Sequence, residues 1–350
     1  MSWALGQKLH RDRYEIKQQL GQGNFAITYL AEDRDGKNVV IKILDYNSLN
    51  QLTNKDRERL KSGFVDESRK LEKCKHPNIV QVIDTFEEGN LKCMVMEYIQ
   101  GDNLAKIVQP RGFLPEKEAL DYIQQIGKAL IVVHEQEFLH RNVKPANIIL
   151  RAGTHQVVLI NFDLARRFVD NPVSSRGNLV DKFTPIELYS KSPRQQARRK
   201  LSTDTDIYSL AATLYYLLTG KLPESAIERQ DNNKRLIPPK ELNDKISDRV
   251  NQAILHATEL QPDKRPETVE DWLKELGLNT ASLSLPKLLW AQPLWARILE
   301  IMGVIALFAA LISGVKDGTD LFKDWFPDKS APTNPPTQQT PSSSAKPQNR

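Results

Sequence analysis

The chain has 350 residues, with 49 Lys and Arg against 44 Asp and Glu, a formal charge of +5, and 40% hydrophobic residues. That suits one or two packed domains; it is too polar for a polytopic membrane protein and too apolar for a wholly disordered chain. Cys74 and Cys93 are the only cysteines, which excludes a disulfide framework and a four-cysteine zinc site, and so small a basic excess is no signature of nucleic-acid binding. The first residues lack a long apolar run after basic ones, so no signal peptide is expected.

Short β-branched and aromatic runs at Tyr14–Leu20, Ala26–Leu30 and Val39–Leu44, bounded by Gly and Asp, predict a meander of strands. Asp56–Cys74 reads as a helix. After Pro115, Ala119, Tyr122, Ile123, Ile126, Ala129, Leu130 and Val133 fall at helical spacing. Asp206–Thr219 predicts a second helix, apolar on most sides and therefore buried. Strands first and helices afterwards predict an α+β body of two lobes over residues 14–276.

Residues 277–295 form a linker carrying Pro286 and Pro293. Ile301–Val315 then runs 15 residues without a charge, and Ile298–Val315 runs 18 with only Glu300 interrupting. At about 1.5 Å per residue, 18 helical residues reach roughly 27 Å, close to the ~30 Å hydrocarbon core of a bilayer. Trp290, Trp295, Trp325 and Phe326 flank the run like an aromatic belt, and Arg297 stands three positions before Glu300 as its interfacial partner. A C-terminal transmembrane helix is expected over 296–315; a hydrophobic helix docked on the body or lying in the interface is the alternative. Residues 316–350 read as a disordered tail, with five prolines and no aromatic residue in Ser330–Arg350. Lys287 and Arg297 before the span, against four aspartates in Lys316–Asp328, favour a cytoplasmic body and a single pass through the cell membrane.

Leu20-Gly21-Gln22-Gly23-Asn24-Phe25-Ala26 lies between two strand-like runs. Glycines there allow close approach to a phosphate and dihedrals closed to other residues, although a hairpin turn accounts for them equally well. Lys42 sits inside the apolar run Val39-Val40-Ile41. A buried ammonium needs an anionic partner, and Glu67 is the candidate; snorkelling from a strand edge is the alternative.

With these motifs, in this order, the chain resembles the protein kinase family of the bacterial, eukaryotic-like Ser/Thr type, over roughly Tyr14–Leu276. The resemblance implies a two-lobed protein kinase fold, with a β-rich N-lobe and an α-helical C-lobe, taking ATP, Mg²⁺ and a protein substrate or partner. It implies that Gly21, Gly23 and Ala26 cover the phosphates and that Lys42 and Glu67 pair. Met96-Glu97-Tyr98-Ile99 is similar to the hinge that holds adenine, with Glu97 and Ile99 at the contact positions. His140-Arg141-Asn142-Val143-Lys144-Pro145-Ala146-Asn147 resembles the catalytic loop, in which Lys144 would contact the γ-phosphate and Asn147 a metal. Pro185-Ile186-Glu187 stands for Ala-Pro-Glu. Glu187 would pair with Arg265, and Asp206 would brace the loop.

Two carboxylates of that pattern are missing. Asn142 replaces the aspartate that orients the substrate hydroxyl, and Asn161 of Asn161-Phe162-Asp163 replaces the aspartate that holds Mg²⁺. An amide is no general base near neutral pH and brings no negative charge to a divalent ion. Asp163 shares the face of Asn161 in an extended segment and could return a carboxylate to the metal; facing solvent or capping the next turn is its alternative. Val40 and Thr28 replace smaller or more apolar neighbours of adenine in the family, which implies weak nucleotide binding.

The expected function is a membrane-anchored pseudokinase that binds ATP weakly and signals through protein contacts. The alternatives are a slow Ser/Thr kinase using Asn147 and Asp163 for metal, and a kinase-fold enzyme moving a group other than the γ-phosphate. Leu164–Phe183 would be the activation segment, with Ser174, Ser175 and Thr184 as acceptors for a phosphate held by Arg141; an ordinary polar loop is the alternative. Five basic residues in Lys191–Lys200 read as a solvated face or as a contact for anionic headgroups.

Overall fold

The structure, a computed structural model, describes residues 3–23, 25–162, 181–189, 202–231 and 233–279. The chain divides into two units, Met1–Leu283 and Ser284–Arg350, and every described residue belongs to the first. Asp163, Ser174, Ser175, the basic run 191–200 and the expected span 296–315 all lie outside the described residues. Among the described residues no helix is long and apolar enough to cross a membrane.

The first lobe is a six-stranded antiparallel sheet of β1 (Lys8–Leu9), β2 (Tyr14–Gln22), β3 (Ala26–Asp33), β4 (Asn38–Leu44), β5 (Val82–Glu88) and β6 (Leu91–Glu97), in the order β1-β2-β3-β4-β6-β5. Alternation along β4 decides what the sheet offers to each side. Val39, Ile41 and Ile43 are buried with Tyr14, Ile16, Tyr29 and Val95 in a core on one face. Val40, Lys42 and Leu44 take the opposite face, where Val40 and Leu44 pack with Met94 and Met96. After a short α1 (Tyr46–Asn50), α2 (Asn54–Lys73) lays Leu60, Phe64 and Leu71 on that same face. Thr53 caps α2, its side chain accepting from the Asp56 N–H.

The second lobe is helical around α3 (Leu104–Arg111), α4 (Glu116–Glu135) and α5 (Asp204–Thr219), with α6 (Ala226–Asp231), α7 (Pro239–Leu242), α8 (Asp248–Ala257) and α9 (Val269–Glu275) following. Its core joins Ile126 and Leu130 of α4, Ile207, Leu210 and Leu214 of α5, and Trp272 of α9. Burying each such side chain stabilises the fold by roughly 1.5–3 kcal/mol. Trp272 is fully buried because its indole N–H also finds an acceptor, the Ala253 carbonyl at 2.9 Å. A small sheet in the order β7-β8-β9 joins β7 (Gly101–Asn103), before α3, to β8 (Ile148–Arg151) and β9 (Val157–Leu159), after α4. One core crosses the junction: Met94 and Met96 from the sheet, Ile99 after it, Ala129 and Val133 of α4, Phe138 and Phe162.

Candidate active site

The β8–β9 hairpin builds the centre of the site. Its register sets Ile148 opposite Leu159, and the Ile160 N–H donates to the Asn147 carbonyl at 2.9 Å. Asn147, just before β8, and Asn161, just after β9, are thereby brought side by side. Asn161 adopts φ +58°, a left-handed conformation that Asn tolerates better than most residues. Phe162 is buried against Phe138, with ring centroids 5.4 Å apart, and against His140 at 4.3 Å.

The loop carrying Asn142 hangs on Asp206. This carboxylate, fully buried at the start of α5, accepts from the backbone N–H groups of His140 at 2.8 Å and Arg141 at 2.7 Å, and lies 2.9 Å from His134 Nε2. Burial opposes its ionisation, but the hydrogen bond and charge of His134, the His140 imidazole and the Arg141 N–H outweigh it and hold the carboxyl below its ordinary range. Arg141 pays in strain with φ +61°.

Lys42 Nζ meets Glu67 Oε1 at 2.9 Å and donates to the Phe162 carbonyl at 3.0 Å, so β4, α2 and the segment after β9 converge on one ammonium. The side chains are 13% and 5% exposed, which excludes the snorkelling alternative. Lys144 Nζ is bound to Asp181 Oδ2 at 2.9 Å, a contact that no sequence pattern signals. Glu187 and Arg265 form a buried two-point ion pair at 2.8 and 3.1 Å.

At the hinge, Glu97 ends β6; its side chain accepts from the Gln81 N–H at 3.0 Å and from Arg151 at 3.1 Å, and its own N–H donates to the Gln81 carbonyl at 3.0 Å. Ile99 is buried. Gly21 lies within β2 opposite Thr28, and the Gly23 N–H donates to the Ala26 carbonyl at 2.8 Å. The sequence expectation of special dihedrals there is corrected: neither Gly21 nor Gly23 has a positive φ. What Gly21 offers is clearance, since a Cβ added to it meets nothing within 4 Å. Thr184, expected as a phosphate acceptor, is buried at 5% exposure and is not presented to an incoming kinase.

The three asparagines form a closed ring, two of whose contacts are to backbone carbonyls. Asn147 Nδ2 donates to the Asn142 carbonyl at 2.7 Å, Asn161 Nδ2 donates to Asn147 Oδ1 at 3.1 Å, and Asn142 Nδ2 donates to the Asn161 carbonyl at 3.3 Å. Among the described residues no group of three or more His, Cys, Asp or Glu could hold a metal ion. Among the described residues the donors at the expected Mg²⁺ position are neutral, and Asn147 Oδ1 already accepts the Asn161 N–H. These residues do not fit the hard, carboxylate-rich shell Mg²⁺ prefers.

Comparison with known proteins agrees with this geometry. The protein kinase domain family matches residues 14–276. The chain belongs to the protein kinase family and, within it, to the bacterial, eukaryotic-like Ser/Thr type. It is 33% identical over 277 residues to the serine/threonine-protein kinase PrkC of Bacillus subtilis, covering 77% of this chain and 40% of that one. It is 31% identical over 277 residues to the serine/threonine-protein kinase PknB of Mycobacterium tuberculosis, covering 76% and 42%. The chain thus spans about two fifths of the length of these relatives. Among solved structures, an apo form of PpkA superposes with a TM-score of 0.63 at 23% identity, over 79% of this chain and 99% of that one. Rad53 in complex with AMP-PNP gives 0.61 at 23% identity, over 77% and 66%; both likenesses are of fold.

Proposed function

We propose that this protein is a membrane-anchored pseudokinase of the Ser/Thr type, which holds ATP weakly in a kinase cleft, transfers its γ-phosphate poorly and acts through contacts with a protein partner. The observation that carries this reading is the neutral catalytic centre. Asn142 cannot take a proton from a substrate hydroxyl, and Asn161 spends its amide on Asn147. If each lost carboxylate lowers the rate about 10²–10³-fold, as a single electrostatic group often does, little transfer is left. Nucleotide binding keeps its support: Lys42 is fixed by Glu67, and the space beside Gly21 is open, as a phosphate-covering strand turn would need.

The second reading is a slow Ser/Thr kinase that passes the γ-phosphate to a protein hydroxyl, with Asp163 beside Asn147 in the metal's shell. The formed Lys42–Glu67 pair favours it, because that pair is needed for transfer. Labelled γ-phosphate transfer by the full chain, to itself and to a basic protein, separates the two. No transfer above that of Lys42→Met supports the pseudokinase. Transfer that both Lys42→Met and Asp163→Ala abolish supports the slow kinase.

Anchoring rests on the uncharged run Ile301–Val315. The full chain is expected in the membrane fraction, resisting alkaline extraction, and a chain lacking 296–315 in the soluble fraction. Unchanged partition after the deletion would refute the anchor.

A further inference from the structure

The ring of three asparagines, one amide–amide contact and two to backbone carbonyls, has a consequence for the ligand that rests on the nucleotide-binding reading above. Two oxygens that face one another at a metal site, one from a carboxylate and one from an amide, can only accept, so they need a cation between them. Here the orientation of every amide is fixed in turn. The Asn142 carbonyl can only accept, so Asn147 must present Nδ2 to it at 2.7 Å. Asn147 Oδ1 is then left for its neighbour, and Asn161 must offer Nδ2, as it does at 3.1 Å. The amide hydrogen of Asn161 supplies the positive end that a metal supplies to a carboxylate. The third side, from Asn142 to the Asn161 carbonyl, closes the circuit between the catalytic loop and the segment after β9.

We infer that the ring Asn142–Asn147–Asn161 takes the place of a divalent cation, and that this cleft binds a nucleoside triphosphate without Mg²⁺. Each carboxamide carries a second N–H, a donor of the kind phosphate oxygens accept, and Lys42 and Lys144 supply positive charge. Both lysines already have carboxylate partners, Glu67 and Asp181, so the phosphates meet little uncompensated charge and the affinity is modest. The ring holds the segment after β9 against the catalytic loop before any ligand arrives, so no metal is required to order it.

The test measures ATP affinity of the full chain by displacement of a fluorescent ATP analogue, in excess EDTA and in saturating MgCl₂, with melting temperatures recorded without nucleotide in both. For the wild type the two affinities are expected to agree within about threefold. Asn161→Asp sets two accepting oxygens face to face. It is expected to bind ATP about tenfold or more tighter in Mg²⁺ than in EDTA, and to melt lower than the wild type in EDTA, recovering with Mg²⁺. Wild-type affinity raised about tenfold or more by Mg²⁺ would overturn the inference while leaving nucleotide binding intact, and loss of that rise in Asp163→Ala would name the ligand responsible. No ATP binding in either condition would overturn the nucleotide-binding reading and this inference with it. A melting temperature of Asn161→Asp that ignores Mg²⁺ would overturn the ring's part separately.

Discussion

Asp206 stays ionised inside the protein because four groups favour its charge. Its depressed pKa has a definite sign in stability. The stabilisation is complete above the ordinary aspartate value of about 3.9 and is lost as pH falls through the lower folded value. Asp206→Asn, whose amide can offer only one oxygen to the two N–H groups, is expected to cost on the order of 2 kcal/mol at neutral pH. The gap in melting temperature between wild type and variant should narrow below about pH 4, whereas a gap independent of pH would show that the charge is unimportant. The two thiols make the opposite case. Burial pushes Cys74 up to about 11 and Cys93 up to about 12, so neither should react with iodoacetamide at neutral pH until the protein unfolds. The Lys42–Glu67 pair was legible in the sequence, because a lysine inside an apolar strand demands an anion. The asparagine ring was not. It depends on φ at Asn161 and on the register of a hairpin, and no run of letters fixes either.

At the scale of elements, alternation and helical spacing located β2 to β4, α2, α4 and α5 to within a few residues, since each buries one face or most of its surface. The glycine-rich run misled about dihedrals. β2 continues through Gly21 to Gln22, and pairing with β3 keeps the backbone extended. α3 was not read at all, because Pro110 falls within it and only Leu104 and Val108 are buried. Its end meets the end of α5: Gly112 follows α3 with φ +77°, and Gly220 follows α5 with φ +65°. A Cβ on Gly220 would lie 1.7 Å from the Gly112 carbonyl oxygen, whereas one on Gly112 would meet nothing within 4 Å. Gly112, at φ +77° and ψ −54°, has the strained γ-turn conformation, so Gly112→Ala should cost about 1–3 kcal/mol of backbone strain without a clash. Gly220→Ala should cost clearly more, since backbone must move; equal losses in urea denaturation would contradict this.

Over the whole molecule, one apolar core runs from the sheet through Ile99 and Phe162 into α4, so the catalytic loop and Lys42 are set by a shared interior. Beside this interior, buried Asn147, half-buried Asn142 and exposed Asn161 hydrogen-bond to one another without charge. The scaffold therefore persists although Asn142 and Asn161 stand where the family has carboxylates. Read from the sequence, the family and the two lobes were evident from ordered motifs, whereas the Lys144–Asp181 contact was not, since it joins residues 37 apart with no local pattern. The most direct test is γ-phosphate transfer by the full-length Asn142→Asp/Asn161→Asp variant beside the wild type. Transfer by the restored variant alone, abolished again by Lys42→Met, is the predicted result. Wild-type transfer equal to that of the restored variant would contradict the account.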